Sequence, residues 1–503
     1  MSRWNLSWLV GIAAVSLVGL ALRVGLSSGP LQSAPPRAAD VQAKHENLRL
    51  LVDVLEEVQQ KYAKELDRGK MRELVENMIS GGLERLDPHS SFIGPEEYKQ
   101  FQRQSRGKFG GVGIKIGVDR IGQLFVESPM VGTPAYEAGI MAGDIIAKID
   151  GKSTENMPLK KAIEMIQGDA GQKVLLTVYH EGSKKSVDIP IVRAEIRVDS
   201  VLGDRRMEED LKKWDFFIDK IHKIAYIRIT AFTETTVEEL TRVVEQLQKI
   251  GARGLVLDLR NNPGGLLRSA VEVSSMFLPE GKRVVSTKGR NHKEEIYDAR
   301  RMPTGQTSYP IAILLNRYSA SASEIVAAAL QDHARAVIIG ERSYGKGSVQ
   351  NIIPMEGGAS AMKLTTASYW RPSGKNIHRF PDAKEEEEWG VRPNSGYEVK
   401  LPDEERLEYY RWRRDRDIVR RPGEPAPKAK DGEKVRADFK DRVLEKALDY
   451  VRDELKKAAN PAAAAPDNRG AERGPLPTVE VPPAAQAREP RARPEFIDKE
   501  NPR

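Results

Sequence analysis

The chain contains no cysteine among its 503 residues. Disulfide frameworks and cysteine-based zinc sites are therefore excluded, since both need the thiol. Histidine is scarce, with only seven residues, and no H-E-x-x-H pattern or comparable cluster of ligands occurs. The sequence therefore predicts neither a metal nor a cofactor. The absence of cysteine also fits an exported protein without establishing one.

A single long basic block with interleaved aromatic residues is also missing. The net charge is +7, yet the 80 lysine and arginine residues are interspersed with 73 acidic residues. A nucleic-acid interface needs basic side chains clustered on one face, often with aromatic residues between them. Because no such cluster occurs, nucleic acid is not expected as a partner.

Long apolar runs are absent except at the N-terminus. Residues 8–22 are uncharged and mostly apolar, behind Arg3 as the only positive side chain. This length falls short of the roughly 20 residues that span a bilayer, unless the run extends to Leu26 with Arg23 reaching the interface. Residues 1–30 are predicted to be a signal peptide or an uncleaved membrane anchor, and 31–44 a linker. The body is then expected in the cell envelope, on the periplasmic side of the inner membrane.

The remainder divides into five units by apolar periodicity and composition. The sequence predicts a helical N-terminal region (45–105), a unit of alternating strands (106–194), a third unit (195–400), a charged helical region (401–457) and a disordered tail rich in proline, alanine and arginine (458–503). In the third unit, strands are predicted at 224–229, 255–259, 311–315, 337–339 and 349–353, and helices at 237–250, 266–277 and 322–330. This alternation indicates an α/β layered core within an α+β multidomain chain.

A glycine-rich run opens the second unit: Phe109, Gly110, Gly111, Val112 and Gly113. Glycines beside a strand edge free backbone N–H groups, which can capture a carboxylate and add a peptide as an extra strand. A plain hairpin turn explains such a cluster equally well. The unit as a whole, however, resembles a PDZ domain in order, in length and in its turn at 143–144. That resemblance implies that the five residues bind peptides.

Ser321 lies between a predicted strand and a predicted helix. A nucleophile there is exposed at a sheet edge, and the N–H of Ala322 lies at a helix N-terminus, where an oxyanion would form. Gly264 and Gly265 follow another predicted strand and offer a second source of N–H donors. Serine is also a favoured helix N-cap, and a glycine pair is an ordinary turn. A purely structural interpretation of both runs therefore stays open.

Lys346 stands between two glycines, in a predicted turn just before a strand. Serine becomes a nucleophile when a base takes its proton, and a neutral lysine can be that base. The pKa of lysine must then fall from about 10.4 towards neutrality, which burial can achieve. Gln350 points to the same side as Lys346 if the strand starts at the turn, and its neutral amide can hold the amine without adding charge. An exposed turn lysine is the alternative.

Two other motifs point elsewhere. The run from Gly340 to Lys346 matches most of a phosphate-binding loop, but Gly347 replaces the hydroxyl residue that binds Mg²⁺, and a strand rather than a helix is predicted to follow. Asp332 and His333 suggest a Ser-His-Asp triad, but they are neighbours after a helix and no G-x-S-x-G elbow exists. We predict a structural role for Asp332 and a surface or capping role for His333.

The combined motifs resemble the carboxyl-terminal processing peptidases, the tail-specific Ser/Lys proteases of peptidase family S41. The resemblance rests on the runs 319–324, 345–350 and 258–265 with the PDZ-like unit upstream, and it covers roughly residues 48–394. It implies Ser321 as nucleophile, Lys346 as general base and Gln350 as the residue that orients Lys346. It also implies backbone oxyanion donors at Ala322, Gly264 and Gly265, and a crotonase-like α/β protease core.

The activity implied by the resemblance is that of a serine endopeptidase that cleaves proteins near their C-termini through an acyl-enzyme. Its expected partners are protein or peptide substrates with free apolar C-termini and an activating adaptor. Flanking helical segments are expected to form a homodimer or higher homo-oligomer. A catalytically inactive PDZ scaffold or regulator of envelope proteolysis is the alternative, against which the intact Ser321, Lys346 and Gln350 argue.

The chain departs from the family pattern at three places. Many members carry an arginine just before the PDZ glycine that corresponds to Gly168, and this chain has Gln167. Since that arginine helps to sense substrate in some members, the family does not imply how this PDZ domain gates activity. The acidic insertion Asp382–Glu388 and the long basic tail are also unusual, and neither is assigned a function.

Overall fold

The computed structural model describes residues 38–290, 292–305, 307–421 and 439–460. The predicted signal peptide or anchor at 1–30 lies outside these residues, as does the predicted disordered tail from 461 onwards. No helix within the described part of the chain is long and apolar enough to cross a membrane.

Three helices and a short strand open the described chain: α1 (Ala38–Lys61), α2 (Arg68–Glu84), β1 (Ser91–Ile93) and α3 (Pro95–Arg106). The helical pattern over 45–85 is therefore two helices, and α1 already begins inside the predicted linker. Asp67 starts α2, because its carboxylate accepts the Lys70 N–H at 2.8 Å as an N-cap. Helix α3 begins at Pro95 and ends at Gly107, whose φ of 68° suits glycine.

The second unit is an antiparallel sheet accompanied by two short helices, in keeping with the PDZ resemblance. Its elements are β2 (Lys108–Gly111), β3 (Ile114–Val118), β4 (Leu124–Pro129), α4 (Pro134–Glu137), β5 (Ile145–Ile149), β6 (Lys152–Ser153), α5 (Leu159–Ile166), β7 (Lys173–Tyr179), β8 (Ser186–Val192) and β9 (Ala194–Arg197). The main sheet has the order β3-β4-β5-β7-β8, while β2 pairs with β9. Val126, Ile146, Leu176 and Val178 are fully buried at its centre.

A parallel sheet with helices on both faces forms the centre of the third unit. The elements up to this sheet's last strand are β10 (Val201–Leu202), β11 (Arg205–Arg206), β12 (Trp214–Asp215), β13 (Phe217–Asp219), β14 (Ile224–Ile229), α6 (Thr236–Ile250), β15 (Gly254–Asp258), α7 (Leu267–Ser275), β16 (Arg283–Gly289), β17 (His292–Asp298), β18 (Ile311–Leu315), α8 (Ala322–Asp332) and β19 (Val337–Gly340). Strands β14, β15, β18 and β19 run parallel in that order. The predicted α/β layers are thus confirmed.

Both faces of the parallel sheet are covered, which explains why its strands are unbroken apolar runs. Leu255 and Leu257 pack with Val326 of α8 on one face. Val256, between them, packs on the other face with Val451 of α10, the second of two C-terminal helices. These helices are α9 (Asp403–Asp417) and α10 (Arg442–Ala459). The region predicted to be charged and helical therefore also contributes an apolar face to the core.

A second, antiparallel sheet lies beside the first, and the sequence predicts only one of its strands. It contains β20 (Ser348–Met355) and β21 (Ser360–Trp370), joined through the short 3₁₀ helix Glu356–Gly358. Strand β20 pairs along one edge of β21, and both β1 and β16 pair along the other edge. The N-terminal region thereby contributes a strand to the sheet that carries Gln350.

Candidate active site

Ser321 occupies the N-cap of α8 in a backbone conformation that is rare for a residue with a side chain. Its φ is 55° and its ψ is −114°. Such strain persists only where the surroundings fix the backbone, and it is frequent at active sites. The preceding loop provides that support, because Ala320 N–H donates to Asn262 O at 3.0 Å. Ser319 Oγ donates to Leu259 O at 2.9 Å.

One buried carboxylate joins Ser321 to Lys346. Glu324 Oε2 accepts the N–H groups of Ser321 and Lys346, each at 2.8 Å. The two amide nitrogens are therefore both within hydrogen-bond distance of the same oxygen atom. Glu324 Oε1 accepts Ser343 Oγ at 2.6 Å and the Gly345 N–H at 2.7 Å. The two predicted site residues, 25 positions apart in sequence, thus meet on a single side chain.

Glu324 is fully buried at the base of the site. Burial raises its pKa to about 7, although four hydrogen bonds to the carboxylate oppose the rise. Sequence reasoning did not single out this residue. The signal was present, because Ser321 followed by Glu324 three residues later is a capping-box pattern, and the Glu324 side chain does accept the backbone N–H of the N-cap residue.

The surroundings of Lys346 favour the neutral amine. Burial lowers the pKa of Lys346, the nearby Lys363 ammonium lowers it further, and Glu324 opposes both. No hydrogen bond or ion pair within the described residues engages Lys346 Nζ. A buried lysine with a neighbouring positive charge is the arrangement that a lysine general base needs. Lys363, on β21, was not found by sequence reasoning.

Gln350 lies near the turn but does not contact the lysine directly. Strand β20 begins at Ser348, two residues after Lys346, so the condition that the strand starts at the turn is not met. The Gln350 Nε2 donates to Ser348 Oγ at 2.8 Å and to Thr365 Oγ1 at 3.2 Å. Among the described residues, no hydrogen bond joins Gln350 to Lys346.

The glycine turn after β15 packs directly on the Ser321 loop. A Cβ placed on Gly264 would lie 2.7 Å from Ser321 Cβ and 2.9 Å from Ala322 N, so only glycine fits there. The Gly264 N–H donates to Asn262 Oδ1 at 2.8 Å, which corrects the prediction that it faces an oxyanion. Ala322 lies at the N-terminus of α8, as predicted. Gly265 lies exposed in the turn after β15, as predicted.

Asn262 is a third residue that sequence reasoning missed. Its Nδ2 donates to Ile229 O at 2.8 Å, and its backbone oxygen accepts Ser323 Oγ at 3.0 Å. The buried Asn262, through its side chain and its backbone oxygen, therefore connects the end of β14, the glycine turn and the start of α8. Since the side chain has no unusual sequence context, only the fold reveals this role.

The comparison with known proteins gives the same assignment along most of the chain. A model of peptidase family S41 matches residues 223–393, and a PDZ-domain model matches residues 125–179. A carboxy-terminal-processing protease of Bartonella bacilliformis is 40% identical over 366 residues, which cover 72% of this chain and 77% of that protein. The chain belongs to peptidase family S41.

A further relative agrees with this membership. The carboxy-terminal processing protease CtpA of Bacillus subtilis is 33% identical and covers 70% of this chain and 69% of its own length. A solved structure of a photosystem II D1 C-terminal processing protease shares 28% identity with a TM-score of 0.38, over 69% of this chain and 86% of that one. The predicted family, fold class and carboxy-terminal processing serine protease activity are confirmed.

The residues of the rejected motifs have structural roles in this S41 peptidase. Asp332 forms an ion pair with Arg371 at 2.6 Å, and Arg371 also holds the end of α8 through Gln331. His333 is the C-cap of α8 and contacts Arg283 O at 2.7 Å. Strand β20 follows the Lys346 turn, as predicted, so no phosphate-binding helix begins there. No group of metal-ligating side chains occurs in the described ranges.

The glycine-rich run of the PDZ domain is only partly available to a peptide. Residues 109–111 pair with β9, and Gly110 lies against Gly168 O, which a Cβ would approach to 2.1 Å. Val112 is 1% exposed, and its side chain forms part of the PDZ core. Gly113, with a φ of 81°, leads into β3, which is an edge strand.

Two of the three departures from the family pattern, Gln167 and the acidic insertion, lie within the described residues. Gln167 lines a cleft of about 280 Å³ where α3, β2 and the protease core meet. The acidic insertion is anchored through its backbone, since Arg342 donates to Glu385 O and Glu387 O at 2.7 and 2.5 Å. Its charges contribute as well, because Glu388 forms an ion pair with Lys375 at 3.1 Å. Arg342 also stacks on Trp389, which packs against Gly345 beside Lys346.

Proposed function

We propose that the peptidase cleaves its substrates with Ser321 as nucleophile and Lys346 as general base. The observation that carries this proposal is the buried Glu324 carboxylate, which binds the backbone of both residues through the same oxygen, Oε2. The lowered pKa of Lys346 supports it, because an amine must lose its proton before it can accept one from serine.

The reaction proceeds in two halves. Lys346 Nζ takes the Ser321 hydroxyl proton as Oγ attacks the scissile carbonyl carbon, and the N–H groups of Ala322 and Gly265 bind the oxyanion. The lysine then gives its proton to the leaving amine, which departs as the new N-terminus. A water, deprotonated by Lys346, hydrolyses the ester on Ser321 and releases the new C-terminus.

Gln350 is the proposed orienting group for Lys346. With both amide hydrogens bound by Ser348 and Thr365, the remaining polar atom of the side chain is the acceptor Oε1. An amine bound to this oxygen keeps its lone pair free for the serine proton. A carboxylate at this position would instead favour the protonated lysine.

Substrate recognition is proposed to use the free edge of β3. In the described residues this strand pairs only with β4, so its other edge can bind an extended peptide tail. Gly113 and the N–H groups of the preceding turn would lie at the carboxylate end of such a tail. Protein substrates with free apolar C-termini fit this groove, and an activating adaptor could act on the same domain.

A homo-oligomer is proposed on the evidence of the N-terminal helices. Leu48 and Leu51 of α1 are 63% and 50% exposed, although they belong to its apolar stripe. A free apolar helix face is typical of an interaction surface, and a second copy of the chain would cover it. Sedimentation of the full chain with Leu48→Glu should give a smaller species than the wild type, and an unchanged mass would contradict this proposal.

Export and attachment to the inner membrane are proposed from residues 8–22 alone. The body then acts on the periplasmic side of the membrane. An intact mass of the membrane-associated protein tests whether the segment is removed, and a protein found only in the cytoplasm would contradict the proposal.

The catalytic proposal is tested with the full chain and an unfolded protein substrate that carries an apolar C-terminus. Ser321→Ala and Lys346→Ala should each abolish cleavage. Lys346→Arg should do the same, because arginine keeps the positive charge and does not release its proton near neutral pH. Cleavage by Ser321→Ala at the wild-type rate would exclude the nucleophile, and retained activity in Lys346→Arg would exclude the general base.

A further inference from the structure

Asp87 lies in the loop between α2 and β1, far from Lys346 in sequence but close to the sheet that carries Gln350. Strand β1 pairs with β21 so that Ser91 lies opposite Lys363. This pairing brings the loop that precedes β1 against the same edge of β21, next to Thr365. Thr365 N–H donates to Ser90 Oγ at 3.0 Å.

The Asp87 carboxylate is saturated with hydrogen-bond donors. Its Oδ1 accepts Thr365 Oγ1 at 3.0 Å, as well as the N–H groups of His89 and Ser90 at 2.8 and 3.1 Å. Its Oδ2 accepts Ser90 Oγ at 2.5 Å. Burial alone would raise the pKa of Asp87, but the bonds from Ser90, His89 and Thr365 outweigh it and hold the pKa below its ordinary value. The carboxylate is therefore ionised at neutral pH.

An ionised carboxylate can only accept hydrogen bonds, and this fixes the direction of the next bond. The single hydroxyl proton of Thr365 must point to Asp87 Oδ1. The lone pairs of Thr365 Oγ1 then face Gln350, whose Nε2 lies 3.2 Å away. The Gln350 amide consequently presents its NH₂ group, and not its oxygen, to Thr365.

The backbone also places Gln350 opposite Thr365. Val349 pairs with Ala367 and Gln350 pairs with Thr365, so β21 contains one extra residue at this point. Such a bulge redirects a side chain within a sheet. Ser348 Oγ accepts the second amide hydrogen of Gln350 at 2.8 Å. With both hydrogens bound, the amide has one orientation, and Oε1 is left as an acceptor.

We propose that Asp87 is a positioning residue of the protease, which acts through Thr365 to fix the amide of Gln350 with its Oε1 towards Lys346. The inference rests on the roles proposed above for Lys346 and Gln350. It means that the N-terminal region completes the active site: the loop before β1 sets the direction of a hydrogen-bond chain that ends at the general base.

An electrostatic contact supports the placement of this loop. Burial and the positive charge of Lys346 both lower the pKa of His89, the second residue after Asp87. The loop thus lies within the field of the lysine. A purely structural role for Asp87 is the competing explanation, because its bonds to the N–H groups of His89 and Ser90 also stabilise the turn.

A substitution at Thr365 distinguishes the two explanations, because it leaves in place the bonds that Asp87 accepts from the N–H groups of His89 and Ser90. Thr365→Val keeps the shape of the side chain but removes the hydroxyl, whereas Thr365→Ser keeps the hydroxyl. In the full chain, with a fluorogenic peptide ending in an apolar residue, Thr365→Val should lower kcat about tenfold or more with KM unchanged within about twofold. Thr365→Ser should keep kcat within about twofold of the wild type.

Double variants test whether the residues act in one chain. Asp87→Ala added to Thr365→Val should cause no further loss of kcat, and neither should Thr365→Val added to Gln350→Ala. The rate at which a fluorophosphonate probe labels Ser321 should follow kcat in every variant. Equal kcat in Thr365→Val and the wild type, equal losses in Thr365→Val and Thr365→Ser, or multiplicative losses in the double variants would each overturn the inference.

Lys346→Ala distinguishes failure of this inference from failure of the proposed mechanism. If Lys346→Ala cleaves the peptide, the assignment of Lys346 as general base is wrong, and the hydrogen-bond chain from Asp87 has no base to orient. If Lys346→Ala is inactive while Thr365→Val is fully active, the mechanism stands and only the role of Asp87 is overturned.

Discussion

The pKa of Lys346 is controlled by a few side chains that act in opposite directions. Burial lowers it most, Lys363 lowers it further, and the carboxylate of Glu324 raises it. In the proposed mechanism only the neutral amine can take the Ser321 proton, so Lys363 favours the form of Lys346 that the proposal requires. Its positive charge would act on the general base through space, without touching the substrate.

Replacing Lys363 with methionine should therefore shift the pH dependence of the reaction. Without the nearby ammonium the pKa of Lys346 rises, so the acidic limb of the kcat/KM profile moves to higher pH and activity at pH 7 falls several-fold. Lys363→Arg keeps the charge and is the matched control, which should retain the wild-type limb. A Lys363→Met profile that superimposes on the wild type would show that the two lysines do not interact.

At the scale of elements, the N-terminus of α8 and the turn before β20 are held together by one side chain. Glu324 belongs to α8 but accepts two N–H groups and a hydroxyl from the turn at 343–346. All four of its partners are donors and each oxygen accepts two of them, so the NH₂ group of a glutamine cannot replace either oxygen. The relative position of Ser321 and Lys346 depends on this match.

Glu324→Gln should therefore separate the two elements. Its NH₂ group would face two buried donors, which should cost about 2 to 4 kcal/mol of unfolding free energy and lower kcat by at least about tenfold. Urea unfolding and peptide cleavage measure the two effects. Wild-type stability with wild-type kcat would contradict this account of the carboxylate.

The unfolding free energy lost in Glu324→Gln depends on pH, and the pKa of Glu324 determines the direction of that dependence. The pKa of Glu324 is raised from 4.5 to about 7 in the folded protein. Between these values the folded state binds the proton more tightly than the unfolded state does, so this group's stabilisation is complete below pH 4.5 and disappears as pH rises through 7. The deficit of Glu324→Gln relative to the wild type should thus be larger at pH 5 than at pH 8.

At the scale of the whole molecule, a C-terminal segment connects the PDZ domain to the protease core. Residues 418–421 leave α9, which is anchored to the core by the ion pair between Asp417 and Arg228 at 2.7 Å. Val419 N–H donates to Ser128 Oγ of β4 at 2.9 Å, and both residues are buried. Arg421 donates to Tyr136 O and stacks on its ring. The segment therefore restrains the domain that would bind the substrate tail.

Arg421→Ala should loosen this restraint. Hydrogen exchange should become faster by roughly tenfold in β4 and α4 of the PDZ domain, whereas exchange in β14 and β15 should stay unchanged. Arg420→Ala, one position earlier, is the matched control. Equal exchange in all three proteins would mean that residue 421 does not hold the domain.

The sequence determined the chemistry and the layered core. Residues that act in catalysis need particular side chains in particular turns, so the runs around Ser321 and Lys346 could be recognised without coordinates. The strands at 224–229 and 311–315 were predicted with their observed bounds, because strands buried on both faces are unbroken apolar runs. Strand β21 was missed, since its partly buried residues give no such run.

Only the tertiary structure decided how the recognised residues are held. Ser321 and Lys346 both bind Glu324, and Thr365 binds Asp87, so the fold brings together residues that are distant in sequence. The Gly264 N–H donates to Asn262, and only the geometry of the turn distinguishes this glycine from its neighbour. A hydrogen bond has a direction and a distance, and neither is written in the identity of its residues. The sequence therefore named the groups proposed to act in catalysis, and the packing of sheet and helix determined which of their atoms are already bound.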